Sequence, residues 1–208
     1  VIVAQFASNV YRMRAVFDAA RAHGRKVCLL GRSVRNHAEI ARSLGFLDGV
    51  DDLLIEPDDA MKMARHKVCA IATGTQGEGA AALSRLTRDD HPYFQIEEGD
   101  TVVFSSRVIP GMEKKVFGLQ NDLERKGIRV IHRRTNEGVH VSGHAARGEQ
   151  RDLIELCKPR AFLPVHGTYH HLKRHADLGE SCGVPSLAVE NGSLPELNAR
   201  SLTTTSHV

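Results

Sequence analysis

The sequence has no tryptophan, and Phe, Tyr and Trp together make up only 5% of its 208 residues. So thin an aromatic content weighs against a broad stacking platform for bases. The four cysteines, Cys28, Cys69, Cys157 and Cys182, form no C-x-x-C pair, so a zinc ribbon has no support. Cys28 and Cys69 sit inside apolar runs and are expected as buried free thiols. No apolar run approaches the ~20 residues that cross a bilayer. No signal peptide is visible either, so the expectation is a cytoplasmic protein with no membrane partner. No G-x-G-x-x-G follows the first apolar run, which counts against a dinucleotide-binding protein. An H-x-H-x-D-H cluster is absent too.

What is present is ordinary in bulk. Hydrophobic residues make up 41% and charged residues 25%, as in a soluble globular chain. Twenty-eight Lys and Arg against 25 Asp and Glu give a net charge of +3, which permits an anionic partner without requiring one. The chain opens on Val1-Ile2-Val3-Ala4, an apolar β-branched run that reads as a strand cut from something longer.

Apolar runs of strand length alternate with helical patterns. Strands are expected at 1–4, 27–30, 68–72, 101–104, 128–131 and 161–165. Helices are expected over 9–23, 35–44, 79–87, 112–126, 148–157 and 168–181, several of them stopping at a glycine. Alternation of this kind, with nearly continuous apolar strands, predicts an α/β fold around a parallel sheet covered on both faces. The end of the chain lacks a core pattern, and residues 193–208 are expected as a disordered tail.

Open parallel sheets bind ligands beyond the carboxyl ends of their strands. The segments at those ends are Phe6-Ala7-Ser8-Asn9, Gly31-Arg32-Ser33, Thr73-Gly74-Thr75-Gln76-Gly77-Glu78 and Ser105-Ser106-Arg107 with Ile109-Pro110-Gly111. Ser8 or Asn9 at a helix N-cap leaves backbone N–H groups and the positive helix end to meet an anion. Gly74 and Gly77 would let the backbone approach a ligand closely. Arg32 and Arg107 would add fixed charge. Any one such loop is explained by turn and cap chemistry alone. Four on one edge point to a phosphate-rich ligand, tracked by its backbone rather than read by sequence.

Two histidine motifs follow. In His140-Val141-Ser142-Gly143-His144, two imidazoles, a hydroxyl and free N–H groups within five residues suit a phosphate, and one imidazole suits protonation of a departing oxygen. A tight turn with incidental histidines is the alternative. In Pro164-Val165-His166-Gly167, an imidazole ends an apolar run, where neutral imidazole is a common zinc ligand, but a zinc catalytic site needs at least three protein ligands. His171 and His175, one helical turn apart, read better as part of a solvated basic helix with Lys173 and Arg174 than as a metal site.

These motifs, together with Val10-Tyr11-Arg12 and Ala82-Leu83-Ser84-Arg85, resemble ribonuclease J and occur in that family's order from residue 1 to about residue 192. The resemblance implies a metallo-β-lactamase-fold nuclease with an inserted β-CASP domain. It implies residues 1–145 as β-CASP domain and 146–192 as a returning piece of the metallo-β-lactamase scaffold. It implies RNA processing and decay by 5′-to-3′ exonuclease and endonuclease action, with two zinc ions and in-line displacement by a zinc-bound hydroxide. Single-stranded RNA with a 5′-monophosphate is the implied partner, and a homodimer or tetramer the implied assembly. His144 falls on the family's catalytic histidine and His166 on its last metal-binding histidine. Ala7, Ser8 and Asn9, with His140, Val141, Ser142, Gly143 and His144, fall on the segments that hold the substrate phosphate.

The sequence departs from the family at Met112, where Asn is usual, at Gly79, where Pro is common, and at His170, where Arg is common. The absent H-x-H-x-D-H motif is the larger departure, and the chain by itself is expected to be inactive. Two other readings stay open: a non-catalytic RNA-binding module and a nucleotide-binding α/β protein.

Overall fold

Five apolar runs become the strands of one parallel sheet in the order β2-β3-β1-β4-β5. They are β1 (Ile2–Ala4), β2 (Lys26–Leu30), β3 (Val68–Ala72), β4 (Thr101–Phe104) and β5 (Arg129–Ile131). The computed structural model describes residues 1–141, 143–198 and 202–207. The chain divides into two compact units, 1–141 and 142–208.

The sheet belongs to the first unit. Its register is regular: Val3 stands opposite Ile71 on one side and Val103 on the other. Every residue of β3 is buried, as befits a strand covered on both faces. The helices are α1 (Val10–Ala22), α2 (Arg32–Ser43), α3 (Pro57–Ala60), α4 (Ala82–Thr87) and α5 (Glu113–Arg125). Asn9 starts α1, its side chain accepting the Arg12 N–H at 3.0 Å. The chain leaves that helix through Gly24 in the left-handed region, at φ +59°.

Alternation along the strands sends side chains to two separate cores. Met13, Val16 and Phe17 of α1 and Val34 and Ala38 of α2 pack with Val27, Leu29, Cys69 and Ile71, and Val3 joins them. Ile2, Ala4, Cys28, Leu30 and Phe104 point the other way, against Leu83 and Leu86 of α4 and Val116, Leu119 and Leu123 of α5. A fully buried leucine such as Leu30 or Leu123 stabilises the unit by roughly 1.5–3 kcal/mol over its exposed state. Cys28 and Cys69 are buried free thiols as expected, and burial pushes the Cys28 thiol up to about 12.

The second unit holds α6 (Arg147–Cys157), α7 (Tyr169–Ser181) and an antiparallel hairpin of β6 (Ser193–Leu197) and β7 (Leu202–His207). Its small core joins Ile154, Leu178 and Val184, with Phe162 packed against it. Two expectations fail here. Residues 161–165 are not a strand: Phe162 alone forms a bridge, donating its N–H to the Pro185 carbonyl at 2.9 Å and accepting from Leu187 at 3.1 Å. An apolar run becomes a strand only when a neighbour pairs along its length, and Val165 is exposed instead. The supposedly disordered tail carries the hairpin, whose β7 run Leu-Thr-Thr-Thr has the β-branched side chains strands favour. Residues 199–201 and 208 of that tail lie outside the described residues.

Candidate functional site

The sheet order decides where the first unit can hold a ligand. From β1 the chain crosses through α1 to reach β2 on one side, and from β4 it crosses through α5 to β5 on the other. The two helices pack on opposite faces. The neighbouring strands β1 and β4 are therefore the switch point, where an open α/β sheet leaves a crevice at its carboxyl edge.

The loop after β1 brings Ala7 and Asn9, both half-buried, and Ser8, which is exposed, to that edge. The loop after β4 brings Ser105, whose N–H donates to the Ala4 carbonyl at 2.8 Å. Arg12, in the first turn of α1, reaches across. Its Nη1 donates to the Ser105 carbonyl at 2.7 Å and its Nη2 to the Val141 carbonyl at 3.4 Å. The Ser105 hydroxyl donates to the Val139 carbonyl at 2.6 Å. His140 is thereby tied beside α1, 9% exposed, with its Nδ1 buried and without a partner. Burial, first of all, and then repulsion from Arg12, Arg133 and Arg107 hold its imidazole below the usual range, against the pull of the Ser105 backbone. At neutral pH this ring is neutral.

A groove of about 880 Å³ opens in this unit along α1, running from Asn9, Arg12, Ser105 and His140 at the carboxyl edge past Val3 and Val103 to Val1, His23 and Arg25 at the amino edge. Its apolar wall and few convergent polar groups are the usual make-up of a binding cleft. The structure thus brings Asn9, His140 and Val141, named from the sequence, to one groove. Arg12 and Ser105 as ties were not foreseen. The available signal was an arginine in the first turn of a helix, where the helix dipole disfavours a cation.

The glycine-rich loop after β3 has another role than the expected one. A Cβ on Gly74 would meet that of Ala81 at 2.9 Å, and one on Gly77 would meet the Lys115 carbonyl oxygen at 2.9 Å. Both glycines sit at positive φ, so the close approach they permit is to the chain itself, not to a ligand. Gln76, 4% exposed, accepts the Ile109 N–H at 2.8 Å and donates to the Arg107 carbonyl at 3.0 Å. This loop braces the 105–111 loop from within.

In the second unit, Gly143 and His144 are exposed, and Ser142 lies outside the described residues. His166 is exposed and holds a left-handed backbone at φ +66°, uncommon for a residue with a side chain. Gly167 then lies under His171, whose Nδ1 is 2.8 Å from the Thr168 hydroxyl. His175 instead packs edge-on to Phe162, with ring centroids 4.8 Å apart, so His171 and His175 have separate partners. Among the described residues, no three His, Cys, Asp or Glu side chains gather to hold a metal ion. A zinc site does not fit the residues of this chain taken by themselves. Also among the described residues, no helix is long and apolar enough to cross a membrane.

Comparison with known proteins shows the family. Residues 1–123 match a family model described as ribonuclease J, beta-CASP domain. Residues 121–189 match a second, described as Zn-dependent metallo-hydrolase RNA specificity domain. A ribonuclease J of Corynebacterium glutamicum is 46% identical over 184 residues, 88% of this chain and 26% of that protein. One of Mycobacterium tuberculosis strain H37Rv is 46% identical over 202 residues, 96% of this chain and 36% of that protein. A Helicobacter pylori ribonuclease J is 38% identical over 185 residues. The chain spans about a quarter to a third of the length of the curated relatives it matches. With well over half of its residues matched by the first model, and its parallel sheet matching the fold expected of that domain, this chain belongs to the ribonuclease J β-CASP family.

Proposed function

We propose that this chain is the RNA-gripping part of a zinc-dependent ribonuclease that processes and degrades RNA as a 5′-to-3′ exonuclease and endonuclease. The observation that carries the reading is the switch-point crevice, where the N-terminus of α1, Arg12 and His140 converge on one groove in the unit that matches the β-CASP model. A helix N-terminus holds phosphate oxygens through its backbone N–H groups, and Arg12 ties the segment that carries His140 beside it. The relatives' shared name, ribonuclease J, and the RNA-specificity model over residues 121–189 supply the substrate class.

Ala7, Ser8 and Asn9, with His140, Val141, Ser142 and Gly143, seat the 5′-monophosphate of a single-stranded RNA. His144 acts on the scissile phosphate, stabilising it or assisting the leaving oxygen. His166 contributes one metal ligand, and the remaining ligands of two zinc ions come from elsewhere in the whole protein. That protein works in the cytoplasm as a dimer or tetramer.

The test is made in the whole protein with zinc and a 5′-monophosphorylated oligoribonucleotide. His144→Ala is expected to lower kcat by on the order of 10²-fold or more while RNA binding is kept. Undiminished cleavage by that variant would remove His144 from the chemistry. RNA that binds but is never cut, even by the parent protein, would leave a binding module.

A further inference from the structure

Arg12 stands where electrostatics disfavours it. It lies in the first turn of α1, at the positive end of the helix dipole, and that turn holds no acidic residue. Burial lowers its pKa, with no carboxylate acting against that shift. An arginine kept against both costs must be there for what its geometry does. Its planar fork meets two backbone carbonyls from remote stretches, Ser105 at 2.7 Å and Val141 at 3.4 Å. Ser105 adds a second tie, its hydroxyl on the Val139 carbonyl at 2.6 Å. The residue between these anchors is His140, packed and nearly inaccessible.

We propose that Arg12, together with Ser105, is a positioning residue that fixes the Val139–Val141 segment at the carboxyl edge between β1 and β4, and that selection of RNA by its 5′-monophosphate depends on it. The inference rests on reading that edge as the phosphate seat. It assigns Arg12 to the backbone of the seat and not to the phosphate.

The two roles demand different chemistry. A direct phosphate contact needs positive charge, which lysine also carries. Bridging two carbonyls needs a rigid fork of donors, which lysine lacks. The zinc-loaded whole protein is therefore compared with its Arg12→Lys, Arg12→Ala and Ser105→Ala variants. The substrates are 5′-monophosphorylated and 5′-hydroxyl RNA of one sequence, and thermal melts monitor folding.

Arg12→Lys and Arg12→Ala are both expected to raise KM for the monophosphorylated RNA by on the order of tenfold, with kcat changed by less than about twofold. Ser105→Ala is expected to move KM the same way, and it gives the reading if Arg12→Ala fails to fold. Monophosphate selection kept in Arg12→Lys and lost only in Arg12→Ala would assign the arginine to the phosphate and overturn the proposal. Unchanged KM in all three would overturn it as well. A parent protein that does not distinguish the two RNAs refutes the phosphate seat itself, and this proposal falls with it.

Discussion

The side-chain oxygen of Gln76 accepts the backbone N–H of Ile109 at 2.8 Å, which fastens the loop after β4 to the loop after β3. The Gln76 amide nitrogen donates to the Arg107 carbonyl at 3.0 Å and to the Thr75 hydroxyl at 3.1 Å, so a 4%-exposed side chain has both ends satisfied. Ser105, which ties the His140 segment, stands in the loop held this way.

Gln76→Ala leaves the partly buried Ile109 N–H and Arg107 carbonyl without these partners. The expected loss is about 1–3 kcal/mol of stability. Urea unfolding of the chain measures it, and a loss below about 0.5 kcal/mol would mean that water replaces the amide readily.

Two glycines two residues apart in sequence should respond oppositely. Gly77 has φ +76° and faces the backbone of Lys115, whereas nothing lies within 4 Å of a Cβ added at Gly79. Gly77→Ala is expected to cost roughly 1–3 kcal/mol, and Gly79→Ala to stay within about 0.5 kcal/mol of the parent. Comparing the midpoints of the two variants checks both. Equal midpoints would show that the 73–78 loop yields to accommodate a methyl group.

Stability should fall on mild acidification, in part through His140. Its folded imidazole is held below the ordinary value of 6.5, so the unfolded chain binds the proton more readily. This contribution is complete above pH 6.5 and declines as the pH falls below it towards the folded value. The parent chain is expected to lose stability between about pH 7.5 and pH 5.5, and His140→Gln to lose less. His91, also lowered by burial, remains in both proteins and contributes equally. Identical pH slopes would show that His140 titrates as freely as in an unfolded peptide.

The parallel sheet was legible because each strand is a short apolar run and each helix begins or ends on a residue with a physical reason to be there. Asn9 and Gly24 mark α1 in this way. Residues 161–165 were over-read because apolarity signals burial, whereas strand pairing depends on a neighbour that the run itself does not specify. The 193–207 hairpin was under-read because a threonine run is polar by composition yet β-branched by shape. Asn9 and His140 could be named because caps and histidines announce themselves locally, and Val141 only through the family resemblance. Arg12 and Gln76 stand in the quoted motifs, but their roles as ties could not be read there, since Arg12 meets partners 93 and 129 residues away and Gln76 one 33 residues away.

Zinc titration tests the division of labour between this chain and the rest of the protein. No cluster of three metal-binding side chains exists among the described residues. The 208-residue chain is therefore expected to show no tight, stoichiometric zinc binding by calorimetry. Two tightly bound zinc ions per chain would mean that it forms a metal site of its own.

Binding to a 5′-end tests the account most directly. Isothermal titration compares two single-stranded oligoribonucleotides, identical except for a 5′-monophosphate or a 5′-hydroxyl, with a free dinucleotide as third titrant. A phosphate-holding crevice between β1 and β4 predicts saturable binding with the monophosphorylated strand tighter, on the order of tenfold. Equal affinity for both strands, or saturation by the dinucleotide alone, would contradict it.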